Sequence, residues 1–262
     1  MTTETDDTFT IKVIIPFRDR GLDPRRTANL ETVMTWWWAH GYEPEIVDDG
    51  LEGDAQFNRH RAYNRAVSRN ADADVFIFTE ADMLIPPAQI VSGAQMAQMM
   101  PGLVVPFIQY RYLRDEQTGY VRHMLGRIDP RQMADFVDSG EIFTMEPESV
   151  MNNGTSIGAV NIVSRETLEM TGGFTERTSG NWYDDRIIEQ GFAFLTGKPT
   201  RYVEGSAVHL YHLPGWQGDH LTDEDKAATA HNKKIYQDMK DNIRFNFKPA
   251  VRELMTYREA QA

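Results

Sequence analysis

The chain has 262 residues, room for one large domain with a substantial core, and its 41% hydrophobic and 25% charged content is ordinary for a globular protein. A net charge of −12 argues against generic duplex nucleic-acid binding, so an anionic ligand must be met by a local arginine cluster or by a metal. The absence of cysteine excludes disulfides, thiolate nucleophiles and Cys-based zinc sites. The stretch Met1–Asp7 is acidic and polar, the opposite of a signal peptide, and no apolar run approaches the roughly 18 residues of a spanning helix. These features point to a cytoplasmic protein with no membrane span.

In chain order, residues 1–9 read as disordered. Ile11-Lys12-Val13-Ile14-Ile15-Pro16 reads as a buried strand stopped by proline, which cannot donate to a central ladder. A helix is expected over about 26–40, with Leu30, Val33, Met34 and Trp37 at helical spacing and Gly41 ending it. Glu45-Ile46-Val47 leads a second strand to Asp48 and Asp49 at its tip. A helix over about 56–69, an apolar strand at 74–79, a helix starting near Pro86-Pro87 and the strand Leu103–Phe107 follow. This alternation predicts an α/β fold with a mostly parallel, doubly wound sheet flanked by helices.

Beyond residue 110 the pattern loosens. Residues 114–153 are polar, with Gly119, Gly126 and Gly140, and suggest an insertion or mobile segment near the site. A strand at 157–163, a short helix over Arg165–Met170, a tight turn at Gly172-Gly173-Phe174, a helix at 184–190 and a strand at Ser206–Leu210 come next. From Thr222 the pattern is helical, with Thr222 as cap and Asp223, Glu224 and Asp225 in the first turn. One domain over 10–215 with a helical extension over 216–262 is the expected organisation.

Three clusters could carry chemistry. Glu80-Ala81-Asp82 follows a wholly apolar strand, so both carboxylates can approach one ion at the sheet edge, although such spacing is also common on plain surfaces. His209-Leu210-Tyr211-His212 ends a late strand near the same edge. An imidazole there suits a manganese-like ion beside carboxylate oxygen, or is simply a core residue. Trp182-Tyr183-Asp184-Asp185 joins an aromatic pair to acids at a helix start, as a sugar platform with a general base would, or as ordinary capping would. Asp48 and Asp49 could meet a nucleobase or merely form a turn with Gly50. No Walker-type phosphate loop, dinucleotide-binding glycine motif or Gly-x-Ser-x-Gly elbow is present.

Four stretches, taken in order, resemble GT-A fold glycosyltransferases, nearest to the β-1,4-galactosyltransferase, chondroitin-polymerase and polypeptide GalNAc-transferase-like group. Val13 to Arg20 is similar to the first strand and nucleotide-binding loop, which implies nucleotide contacts from Pro16, Phe17, Arg18 and Arg20. Phe57-Asn58-Arg59 with Asn64 resembles the Phe-Asn-Arg motif and its helix, which implies that these four residues contact the uridine. Glu80-Ala81-Asp82 stands at the family's Asp-x-Asp, which implies Asp82 and His209 as metal ligands, Glu80 assisting and Ala81 beside the nucleotide. Gly172-Gly173-Phe174 through Asp185 resembles the Gly-Phe turn and the Trp-Gly-x-Glu-Asp acceptor segment. Glu80 replaces the family's first Asp, and Tyr183 replaces the Glu expected before the catalytic Asp.

The resemblance implies a Mn²⁺- or Mg²⁺-dependent transfer of a sugar from a nucleoside-diphosphate donor, UDP-linked by family analogy, to a hydroxyl of a glycan, protein or other acceptor. Asp184 would act as base with inversion, and Asp185 is the fallback. Trp182, Tyr183 and His212 would face the acceptor, with His212 also an alternative metal ligand. The rival readings are a non-catalytic carbohydrate- or nucleotide-binding module on the same fold, and a nucleotidyltransferase.

Overall fold

The computed structural model describes residues 9–21, 23–53, 55–127, 141–152, 157–180, 182–214 and 218–258. The expected disorder over 1–9 falls, except for Phe9, outside the described residues, as does 128–140 of the expected insertion.

The first half alternates as its sequence predicts: β1 (Ile11–Pro16), α1 (Pro24–Ala39), β2 (Glu45–Val47), α2 (Arg59–Arg69), β3 (Val75–Thr79), then the short β4 (Met83–Leu84), α3 (Pro87–Met99) and β5 (Val104–Val105). The starts of α1 and α2 are set by caps rather than by periodicity. Asp23 accepts from Arg25 N and starts α1 two residues early. The Asn58 side chain accepts from Arg61 N at 3.0 Å and delays α2 to Arg59.

Later elements are β6 (Gln109–Tyr112), α4 (Asp115–Leu125), α5 (Glu141–Thr144), β7 (Ser149–Asn152), β8 (Val160–Ser164), α6 (Arg165–Thr171), α7 (Asp184–Thr196), β9 (Arg201–Tyr202), β10 (Ser206–His209), α8 (Asp223–Arg244) and α9 (Lys248–Met255). The described parts of 114–153 are therefore largely built into helices and a strand.

A six-stranded sheet runs β2-β1-β3-β8-β5-β9, and a four-stranded one runs β4-β10-β6-β7. In the larger sheet β1 is parallel to β2 and β3, and β5 is parallel to β9, but β8 runs antiparallel to both its neighbours. The α/β class with a mostly parallel central sheet flanked by helices is what the structure shows. The reversed β8 and the second sheet are additions that the sequence pattern did not suggest.

Every residue of β3 and β8 is buried. Helix α3 reaches β8 through Gly93, where a Cβ would sit 2.6 Å from Ile162 Cδ1. Beneath the sheet tips Phe78 lies 4.3 Å from the Tyr63 ring and 5.0 Å from that of Phe174, and Phe174 lies 5.4 Å from Phe192. Each of these buried rings contributes on the order of 2 kcal/mol from apolar area alone. The C-terminal helices pack onto α7 at Gly191, where a Cβ would meet Met255 Sδ at 2.7 Å and Met239 Cε at 3.3 Å. No described helix is long and apolar enough to cross a membrane.

Candidate active site

Strand β3 ends at Thr79, and the chain turns outward through Glu80 and Asp82 into β4. Antiparallel register sets His209 of β10 opposite Met83, and Leu210 N donates to Asp82 O at 2.8 Å. Backbone pairing thus brings His209 beside Asp82. The following segment is pinned to the start of α1, because Leu213 N donates to Asp23 Oδ2 at 2.8 Å and Asn29 Nδ2 to Tyr211 O at 3.1 Å. That bend turns His212 back onto the same carboxylate.

Asp82, His209 and His212 each offer one ligand atom, all within 4.8 Å of one another. His212 Nε2 lies 3.0 Å from Asp82 Oδ2, and His209 Nε2 lies 3.7 Å from Asp82 Oδ1. His212 Nδ1 sits 2.7 Å from Leu213 O, which fixes its proton on that nitrogen and leaves Nε2 for the cluster. Asp82 Oδ1 and His209 Nδ1 are buried with no hydrogen-bond partner. Burial drives the His209 imidazole down to about 4, so it is neutral and fit to ligate. Burial opposes ionisation of Asp82, yet the two imidazoles hold its carboxyl well below the usual range. For His212 burial also favours the neutral ring, but the Asp82 charge outweighs it and raises the pKa. One carboxylate oxygen and two imidazole nitrogens suit a borderline divalent ion such as Mn²⁺.

Glu80 is not part of this group. Its Oε1 accepts from Arg59 Nη1 at 2.6 Å. The same guanidinium donates from Nε and Nη2 to Asp184 Oδ2 at 3.0 and 2.5 Å, and from Nη1 to Gly158 O at 3.1 Å. One buried arginine therefore sits among Glu80, Asp184 and Asp185. Burial raises the Glu80 carboxyl to about 7 against the opposing pull of Arg59. For Asp184 burial is outweighed by Arg59, and the carboxyl is lowered. Asp185 is raised, by burial and then by the adjacent Asp184 charge.

Asp184 opens α7 behind a strained strap. Trp182 (φ +71°) and Tyr183 (φ +66°) both occupy the left-handed region, which costs roughly 1–2 kcal/mol for each non-glycine residue. Trp182 is 47% exposed, enough to offer a ring face to a ligand. Asn232 of α8 holds the strap, donating from Nδ2 to Ser179 O at 2.9 Å and to Trp182 O at 3.0 Å. Nothing in the polar surroundings of Asn232 in sequence signals that it is buried.

Of the residues expected to meet a nucleotide, Arg18, Asp49 and Asn58 are joined to one another beyond the tips of β1 and β2, and the others have partners elsewhere. Arg18 donates to Asp49 Oδ1 at 3.0 Å, to Gly53 O and to Ala55 O, and its guanidinium lies 5.9 Å from the Phe57 ring. Asp49, fully buried, also accepts from Asn58 N at 2.8 Å. Asp48 accepts from Gly50 N at 2.8 Å, the turn geometry weighed for it from sequence. Asn58 and Asn64 bind the Phe174–Glu176 turn. Arg20 lies 3.6 Å from Asp225 of α8. Pro16 and Ala81 are buried, and Phe17 N pairs with Val47 O.

No protein-family model matches the chain, and no curated protein matches it in sequence. Among solved structures it is similar to the catalytic domain of Drosophila β1,4-galactosyltransferase 7 in complex with xylobiose. The identity is 13%, covering 85% of this chain and 79% of that one, with a TM-score of 0.47. It is also similar to glucosyl-3-phosphoglycerate synthase from Mycobacterium tuberculosis in complex with Mn²⁺, uridine diphosphate and glucosyl-3-phosphoglycerate. There the identity is 12%, covering 90% and 81% of the two chains, with a TM-score of 0.46.

Proposed function

We propose that the chain is a divalent-metal-dependent glycosyltransferase of the GT-A type, taking a sugar from a nucleoside-diphosphate donor, UDP-linked, to an acceptor hydroxyl. The observation that carries this reading is the Asp82–His209–His212 cluster with its two orphaned buried atoms, set at the strand tips beside a carboxylate pair. These three residues would hold the ion, which would supply Lewis-acid stabilisation of the negative charge on a leaving diphosphate.

The remaining chemistry belongs to side chains. The Leu213 carbonyl keeps His212 in the tautomer that presents Nε2. Asp184, held ionised by Arg59, is a weak base and acts as a structural anchor. Asp185, whose carboxyl is raised by burial and by the Asp184 charge against the weaker pull of Arg59 and Arg186, is the better proton acceptor for an attacking hydroxyl. This moves the base one residue along from Asp184, and inversion follows if Asp185 activates the acceptor opposite the leaving group. Trp182 offers a ring face to a sugar.

Incubation of the purified chain with a panel of UDP- and GDP-sugars, with and without Mn²⁺, tests the reading by nucleotide release. Manganese-dependent release is expected. Tight manganese and UDP binding without any release, across all acceptors tried, would make the chain a binding module instead.

A further inference from the structure

Helix α8 turns one row of side chains toward the loops of the site. Asp225 accepts from Gln56 Nε2 at 2.9 Å and pairs with Arg20, both on the nucleotide side. Ala228 lies against Gly180, where an added Cβ would come within 3.1 Å of it. Asn232, fully buried, donates to Ser179 O and Trp182 O and accepts from Ser179 N at 3.3 Å. Tyr236, one turn on, packs its ring 5.6 Å from that of Tyr183 and accepts from Gln190 Nε2 at 3.0 Å.

We propose that Asn232 is a positioning residue for the acceptor side of the site. Its carboxamide clamps Ser179 and Trp182 in the conformation that presents the Trp182 ring ahead of α7 at Asp184, and Tyr236 buttresses Tyr183. This rests on the glycosyltransferase reading for its role, though not for its geometry. The chemistry requires an amide. Two donors and one acceptor are all used, whereas an aspartate cannot donate to the two carbonyls and an apolar side chain of the same volume satisfies none of the three groups. With no solvent at Asn232, those carbonyls would be left unpaired. Two adjacent non-glycine residues in the left-handed region persist only where tertiary contacts over-determine them. A helix beyond the expected domain boundary is thereby part of the working site.

Hydrogen exchange on the full chain tests this, with Asn232→Ala and Asn232→Asp as variants. Both should speed exchange of the amides over 182–187 by about tenfold or more, while exchange in β3 and Mn²⁺ affinity stay unchanged. With UDP-glucose as donor and free disaccharides as acceptors, the disaccharide KM should rise and the UDP-glucose KM should hold. Unchanged exchange in both variants, or a disaccharide KM that holds while exchange speeds up, overturns the proposal. A wild-type chain that neither binds Mn²⁺ nor releases nucleotide overturns the glycosyltransferase reading alone, since the exchange result still decides the clamp.

Discussion

Replacing Arg59 with methionine removes the guanidinium that pairs with both Glu80 and Asp184 while keeping most of the side-chain volume. Arg59 is 14% exposed and Asp184 7%, so their pair is well desolvated, whereas Glu80 at 32% is partly screened. Breaking a buried pair by deleting one partner costs about 3–5 kcal/mol, and the exposure of Glu80 argues for the lower end. For a chain of this size about 3 kcal/mol lowers the melting temperature by roughly 6–12 °C. The loss should depend on pH. Without Arg59, burial of Asp184 loses its main counterweight and its carboxyl moves up, and Glu80, already at about 7, rises further. A carboxyl whose folded pKa exceeds its unfolded value of about 4 binds its proton more tightly when folded. The variant is then least impaired in acid, and its deficit grows from about pH 4 upward through the raised folded values. Urea denaturation of Arg59→Met and wild type near pH 5 and pH 8 measures both quantities. A deficit below about 1 kcal/mol near pH 8, or one that does not grow with pH, refutes the account of Arg59 as a charge-balancing buried cation.

Calorimetry with Mn²⁺ should show that Asp82→Asn, His209→Ala and His212→Ala each lose about 100-fold or more in affinity, while Glu80→Gln changes it little; an equal loss for Glu80→Gln would enlarge the cluster. Asp185→Asn should keep UDP affinity and lose about 10²–10⁴-fold in transfer rate, whereas Asp184→Asn should lower thermal stability by releasing Arg59. A stable Asp184→Asn with the same rate loss would return the base to Asp184. Gly158→Ala places a Cβ 2.7 Å from Asp185 Cβ and 3.1 Å from Arg59 Nη2; a melt lowered by about 1–3 kcal/mol is expected, and an unchanged melt would show that the cleft gives way easily.

The apolar strand 75–79 and its charged tip were readable because a run of buried apolar residues and the carboxylates that follow it differ so sharply in composition. Strand direction was not, since β8 is buried on both faces and reads the same whichever way it runs. The second sheet escaped because β4 has two residues and β10 only four. His209 could be placed from its strand, but His212 depends on the Asp23–Leu213 contact, which no local pattern reveals. Asp48 and Asp49 show both sides of one ambiguity: Asp48 makes the turn with Gly50, while its neighbour is buried and organises Arg18 and Asn58. Arg59 was read as a nucleotide contact from its motif, and its partners are carboxylates contributed by two distant segments, which no local pattern reveals.

Strand β10 lies between β4 and β6, and both imidazoles of the cluster arrive on it or just after it. During synthesis, therefore, Asp82 emerges long before the residues that complete its cluster, and a nascent chain can build β1, β2 and β3 without any capacity to sense the ion. Such distant pairings form late, because the loop they close must be ordered first. An ion that binds only the finished cluster stabilises the finished fold selectively. A chain truncated before β10 would lack both imidazoles of the cluster, so on the proposed reading ion affinity would report the completeness of each molecule.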